Sequence, residues 1–425
     1  MAVAATDIHR TIDAVWRIES PKLIAGLMRF VRDLGLAEDL AQDALVAALE
    51  QWPESGVPDN PGAWLMATAK HRAIDSFRRN QLLVRKHEEL GRDVETRQMA
   101  MPDLNANLDD NIGDDLLGLM FISCHPVLST DARTALTLRL LGGLKTDEIA
   151  RAFLLPESTI AQRIVRAKRT LSDAHVPFEV PRGAELVARL SSVLEVIYLI
   201  FNEGYSATAG ADWMRPALCE EAIRLGRVLA ELAPREPEVH GLVALMEIQA
   251  SRAKARVGST GEPVLLFDQD RGKWDQLLIR RGLLALDRAE KISARRGPYA
   301  IQAAIAACHA RAHTPEETDW TRIVALYDEL ADLSPTPVVQ LNRAVAVAMA
   351  SGPAAGFELT EKLTAESSLK NYHLLPSVRG DLLTKLGRLA EARAEFERAA
   401  TLTQNARERE LLLARAEKLT NTIEH

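Results

Sequence analysis

Apolar residues return at intervals of three and four along nearly the whole chain, and runs that alternate Val, Ile or Thr with polar residues are almost absent. That periodicity turns one face of each successive segment toward a core and predicts an all-α protein. Helical pattern is plain at 24–28 and 36–49, and it resumes from 116 to 174. Between the first two blocks and the next, Pro53, Pro58 and Pro61 crowd the stretch 52–61, where missing N–H groups and ring clashes exclude a helix. Residues 83–112 read as a linker with acids at Asp103, Asp109 and Asp110, followed by Asp114 and Asp115. Pro177 and Pro181 mark a boundary, because the residue before a proline is held extended.

The segment 144–171 has the pattern of a helix-turn-helix. Thr146 is placed to cap a short first helix, Pro156 and Glu157 suit the opening of a second, and Ile160, Ile164, Ala167 and Leu171 share one stripe. Thr159, Gln162, Arg163, Arg166 and Arg169 lie off that stripe, with Lys168 at its edge. Arg and Lys donate to phosphates and guanine edges and Gln can serve adenine, so this face suits major-groove reading. A helix hairpin with a solvated basic face satisfies the same pattern.

Everything after 181 reads as helical hairpins. At 373–406, Gly380, Gly387, Ala392, Phe396 and Ala399 occupy the spacing of a tetratricopeptide-like unit, in which small residues let two helices approach closely. A degenerate copy at 337–365 carries Asn342, Ala344, Gly352 and Ala355, and 408–419 suits a terminal capping helix. Such repeats form a concave protein-binding surface or brace a neighbouring domain. Trp274, Tyr198, Phe201 and Tyr205 are amphipathic anchors suited to packing between the extension and the first half.

Composition narrows the chemistry. The 425 residues carry a net charge of -7, so any nucleic-acid binding rests on local basic faces, such as the cluster Lys70, Arg72, Arg78, Arg79, Arg85 and Lys86. Three scattered cysteines give neither a disulfide framework nor a zinc site, and in Cys124-His125 and Cys308-His309 neighbouring helical side chains point apart. Glu203 and the acids Asp268, Asp270 and Asp275 are expected as caps or turns, since no nucleophile or metal-spaced histidine accompanies them. We therefore expect no catalytic residues, no metal and no cofactor. No apolar run approaches the ~18 residues of a membrane span and no signal peptide opens the chain, so the expected location is cytoplasmic, without membrane insertion.

Three segments, in this order, carry a family resemblance. Glu38-Asp39-Leu40-Ala41-Gln42-Asp43-Ala44-Leu45 is the first. The second begins Asn60-Pro61-Gly62-Ala63-Trp64 and ends Ala73-Ile74-Asp75-Ser76-Phe77-Arg78-Arg79, and the third is the helix-turn-helix. Together they resemble the extracytoplasmic-function sigma factors, sigma-70-type initiation subunits of bacterial RNA polymerase. Tyr198-Leu199-Ile200-Phe201-Asn202-Glu203-Gly204-Tyr205 and Asp268-Gln269-Asp270-Arg271-Gly272-Lys273-Trp274-Asp275 resemble a subgroup with a long helical, tetratricopeptide-like extension. One departure is Leu154-Leu155-Pro156-Glu157, which stands where a Gly-containing turn is commoner.

The resemblance implies four parts: region 2 at 1–82, an acidic linker at 83–112, region 4 at 113–175 and the helical extension at 182–425, its repeats clearest at 337–406. Asp39, Gln42 and Asp43 lie within one helical turn, so they face outward while Leu36, Leu40 and Leu49 turn inward; the resemblance implies that this patch docks on the β′ coiled coil of core RNA polymerase, with the β subunit a further partner. A solvated helix face fits the same acids. Asn60, Trp64, Lys70, Arg78 and Arg79 would serve −10 recognition and melting, with Asn60 the base donor, although a Trp opening a helix is also a common core residue. Thr159, Gln162, Arg163, Arg166, Lys168 and Arg169 would read the −35 element of promoter DNA. The linker would occupy the RNA path, or merely solubilise. The extension would regulate or enable the factor through a protein partner. A helix-turn-helix regulator that senses partners through its repeats and never joins polymerase is the alternative.

Overall fold

In a computed structural model, which describes residues 2–89, 112–259 and 261–423, the chain folds into eighteen α-helices with two two-residue strands. The first helices are α1 (Ala2–Val31), α2 (Leu34–Ser55) and α3 (Pro61–Glu89); α4 (Ile112–Ser123), α5 (Thr130–Leu140), α6 (Thr146–Phe153) and α7 (Glu157–Asp173) follow. Next comes α8 (Gly183–Tyr205). The chain divides into two compact units, Met1–Val196 and Ile197–His425.

In the first unit, Asp33 caps α2 by accepting from the Leu36 N–H at 2.8 Å. Leu40, Ala41 and Ala44 then bury one face of α2, which packs on α1 and α3. Leu36 is only half-buried, and Leu49 is 37% exposed rather than inward. Nine residues beyond Leu40 is about half a helical turn out of phase, so Leu49 must face away. The proline-rich stretch is also shorter than expected. α2 runs through Pro53 to Ser55, closed by the Gly56 N–H on the Trp52 carbonyl at 2.9 Å, which leaves 56–60 as the loop. The carbonyl that Pro53 cannot satisfy belongs to surface Leu49, where water can replace the lost donor. α3 likewise continues to Glu89, into the stretch read as linker. The remainder of that stretch, with Asp103, Asp109 and Asp110, lies outside the described residues.

The boundary at Pro177 and Pro181 does end the helix-turn-helix, yet the compact unit extends past it. Arg189 of α8 donates to the Phe121 carbonyl at 2.9 Å, Ser192 to the Cys124 carbonyl at 2.6 Å, and Arg133 pairs with Glu195 at 3.1 Å. The opening turns of α8 are therefore bonded to α4 and α5, and the units part at Val196, not at 181.

The second unit contains α9 (Pro216–Leu232), α10 (Pro237–Ala250), α11 (Gln276–Ile292), α12 (Pro298–Arg311), α13 (Trp320–Leu333), α14 (Pro337–Ser351), α15 (Pro353–Leu363), α16 (Leu374–Lys385), α17 (Leu389–Leu402) and α18 (Ala406–Ile423). Successive helices pack on one another. The 373–406 pattern forms the hairpin of α16 and α17, where a methyl group on Gly380 would come within 2.7 Å of the Phe396 ring. Ala392, Phe396 and Ala399 are buried there, and Leu412 and Ala416 of α18 cover them. Strand β1 (Ala209–Gly210) pairs in parallel with β2 (Gln404–Asn405), joining the loop after α8 to the turn before α18. Buried Asn405 secures this joint by donating to the carbonyls of Ala207 at 3.0 Å and Asp212 at 2.9 Å.

Part of this helical array is covered by its own chain. The segment between α10 and α11 sets Arg271 on the carbonyls of His309 and Ala312, each at 2.6 Å, and stacks Phe267 on Trp320 at 6.0 Å. Tyr198, Phe201, Tyr205 and Trp274, read as anchors between the halves, also have partners inside this unit. Phe201 stacks on Tyr205 at 5.5 Å, Tyr198 meets Tyr299 edge-on at 5.4 Å, and Trp274 packs with Ala255 and Ile279. No described helix is long and apolar enough to cross a membrane.

Candidate nucleic-acid interface

The second helix of the motif, α7, buries Ile160, Ile164, Ala167 and Leu171, as its spacing predicts. Gln162, Arg166 and Arg169 are exposed on the remainder of its surface, with Thr159 and Arg163 half-buried. Two of these arginines carry acidic partners: Arg163 meets Asp131 of α5 at 3.1 Å, and Arg169 meets Asp173 at 3.5 Å. The start of α6 differs from expectation. Lys145 is its cap residue, and its N–H is held by the Glu148 carboxylate at 2.8 Å, so Thr146 is the first helical residue. The turn between the helices puts Leu154 at φ 52°, the left-handed region that glycine occupies without strain.

Lys168 does not stand with the exposed row. Its ammonium pairs with the Glu38 carboxylate of α2, which also accepts from Arg139 at 2.7 Å and from Gln42 at 2.8 Å. Glu38 is 3% exposed. Burial alone would raise its carboxyl, but the Lys168 and Arg139 cations outweigh that and hold it below the usual range. Further ion pairs join α1 to the motif: Arg17 to Glu148 at 2.7 Å and Asp13 to Lys145 at 3.5 Å. Gly143, at φ 63°, makes that approach feasible, since a side chain there would press on the Arg17 Cα at 3.3 Å. Ion pairs thus tie both α1 and α2 to the motif.

On α2, Asp39 and Asp43 are exposed and Gln42 is half-buried against Glu38. Asp43 lies 3.7 Å from Arg72 of α3, so Arg72 pairs across helices. Asn60 caps α3, its amide oxygen accepting from the Ala63 N–H at 3.0 Å. Trp64 is half-buried edge-on to buried Trp52, ring centroids 5.3 Å apart, which is a packing position. Lys70 sits over the Phe30 ring at 5.2 Å, and burial lowers its pKa. Arg78 is exposed, whereas the side chain of Arg79 lies outside the described residues.

The three blocks have relatives in this same order. Residues 16–82 match the sigma-70 region 2 family and residues 119–171 match sigma-70 region 4. The chain belongs to the extracytoplasmic-function sigma factors. Residues 189–290 match a family of unknown function, DUF6596, within the helical extension of this sigma factor. An uncharacterized protein of Rhizobium meliloti is 45% identical over 390 residues, 91% of each chain, so the likeness spans the extension too. The ECF RNA polymerase sigma factor SigC of Mycobacterium tuberculosis is 27% identical over 164 residues, 39% of this chain and 78% of that one. The RNA polymerase sigma-H factor of Pseudomonas aeruginosa is 27% identical over 163 residues, 37% and 81% of the two chains.

Three residues that organise this sigma factor escaped the sequence reading: Glu38, Arg139 and Asp131. The only signal for Glu38 was its position four residues before Gln42, which also suits a solvated helix face. Elsewhere the acids singled out have local duties. Glu203 pairs with Arg215, Asp270 holds the Gly272 N–H at 2.9 Å, and Asp275 caps α11 through the N–H groups of Leu277 at 2.9 Å and Leu278 at 3.1 Å. Among the described residues no group of three or more His, Cys, Asp or Glu could hold a metal ion.

Proposed function

We propose that this sigma factor binds core RNA polymerase and directs promoter-specific initiation, with its helical extension regulating or enabling that activity. The observation that carries the reading is α7. It buries one apolar stripe and exposes Gln162, Arg166 and Arg169 beside Arg163, long donors able to reach base edges and phosphates of a −35 element. Asp39 and Asp43, exposed on α2, would meet the basic side of the β′ coiled coil. On α3, Arg78 and Lys70 would contact phosphates of the −10 region, while Asn60, at the end of the 56–60 loop, would meet a displaced base. Trp64 would act by holding that loop through Trp52 rather than by stacking on a base. Lys168 would reach DNA only once its pair with Glu38 had opened. The extension presents hairpins to a protein partner.

Run-off transcription with core polymerase and the full-length protein, on DNA selected from a random library, tests the proposal. A recovered two-element promoter whose use requires the added protein supports it. DNA binding without core association would instead favour a conventional helix-turn-helix regulator.

A further inference from the structure

Three arginines in and beside the segment after α10 gather around aromatic rings of the extension. The Arg252 guanidinium lies 5.8 Å from the ring centroids of both Tyr205 and Trp274, and that of Arg271 lies 4.8 Å from Trp274. Arg256 covers Tyr205 at 3.6 Å and sits 5.5 Å from Trp213. Arg252 is therefore the middle member, sharing a ring with each of the others.

None of the three has an ion-pair partner among the described residues. Arg252 bonds the Tyr205 hydroxyl at 2.6 Å and the Gln249 side chain, Arg256 the Tyr205 carbonyl, and Arg271 the carbonyls of His309 and Ala312. Glu316 and Glu317 act on Arg271 from longer range, opposed by Arg252. Of the acids in the same segment, Asp270 and Asp275 serve as caps. The excess of positive charge registers on His309, which burial and then Arg252 and Arg271 push down to about 4. Its imidazole stays neutral beside those two cations.

Donors are left over as well. The indole N–H groups of Trp213 and Trp274 and the Nε–H of Arg271 are buried without a partner, while Arg256 is 7% and Trp274 4% exposed. Cation–π contact offsets part of the cost of burying a guanidinium, but it supplies neither a counter-charge nor an acceptor for those N–H groups. An oxyanion supplies both.

We propose that this cluster binds a small molecule bearing a phosphate or carboxylate group. Guanidinium forks and indole N–H groups would hold the oxyanion, with the rings of Tyr205 and Trp274 keeping the guanidiniums in place through cation–π contact. The burial of Arg256 and Trp274 bars a nucleic-acid backbone, which cannot bring its phosphates below the surface. Tyr205, Trp213, Arg252, Arg256, Arg271 and Trp274 all fall in the stretch 189–290, so ligand binding is a property of the extension, separate from DNA reading.

The test titrates the full-length protein with inorganic phosphate and, separately, with succinate, at ionic strength held constant with sodium chloride. Tryptophan fluorescence and the thermal midpoint are read together. One of the two anions should give a saturable change in both, with at least tenfold weaker binding in Arg252→Gln. Trp274→Phe, which keeps a ring and deletes the N–H donor, should also bind more weakly, and Arg393→Gln on α17 should match the parent. Should Arg252→Gln fail to fold by circular dichroism, Trp274→Phe decides. Absence of saturation with both anions, or unchanged affinity in the decisive variant, would overturn the proposal whatever the protein does in transcription.

Discussion

Lys168 of α7 and Glu38 of α2 form a buried ion pair between the helix proposed to read DNA and the helix proposed to dock on polymerase. The pair is completed by Arg139, so one carboxylate balances two cations. Each helix thus restrains the other through a group that sequence patterning assigns to its outer face.

Removing one partner should be costly. Lys168→Met leaves buried Glu38 with Arg139 and Gln42 alone, and urea unfolding should show a loss approaching the ~3 kcal/mol seen when a buried pair is broken. The double variant with Glu38→Gln should lose less than the two single losses added together. Strict additivity in that cycle would mean that the two side chains do not interact in solution.

The same pair makes a pH prediction. The Glu38 carboxyl is held below its ordinary value of 4.5, so the stability it contributes is present above 4.5 and lost as pH falls through its lower folded-state value. The stability difference between the parent and Glu38→Gln should be constant from pH 7 down to about 5 and should narrow only in stronger acid. A gap that widened in acid would reverse the sign of the linkage.

Reading of DNA should depend on Arg163 and Arg166. Alanine at either is expected to weaken promoter binding by ~1–3 kcal/mol if it contacts base edges. Asp131→Asn removes the partner of Arg163 and should tighten binding by up to ~1 kcal/mol, the worth of an exposed pair. Fluorescence anisotropy with a promoter duplex measures all three, and unchanged affinity in the arginine double variant would discard α7 as the reader.

Leu154 occupies a left-handed turn while 54% exposed, so it bears backbone strain with little burial in return. Leu154→Gly should relieve part of the ~1–2 kcal/mol cost of that conformation. Greater chain entropy in the unfolded state offsets some of the gain. A net rise in thermal midpoint is expected, with DNA affinity unaltered.

Truncation should respect the unit boundary. A fragment ending at residue 196 keeps the bonds from Arg189 to Phe121 and from Ser192 to Cys124, whereas one ending at 181 loses both. Calorimetry should find the shorter fragment less stable. If the longer fragment matched the intact protein in core binding and run-off yield, the extension would have no regulatory part.

Helix type, the stripe on α7, the Gly380 and Phe396 hairpin and the order of the three sigma segments were legible because each depends on residues within a few turns of one another. Local periodicity, turn chemistry and small-residue spacing are written in consecutive positions. What the tertiary structure alone decided is which charged groups face which. Glu38 was indistinguishable from its solvated neighbours Asp39 and Asp43 until α5 and α7 were brought over it, and Lys168 was one basic residue among several until that contact claimed it. The same holds for Arg252, Arg256 and Arg271, whose convergence on Tyr205 and Trp274 depends on a loop folding back across distant helices. Electrostatic partnership acts through space at a few ångströms, and separation along the chain carries no record of it.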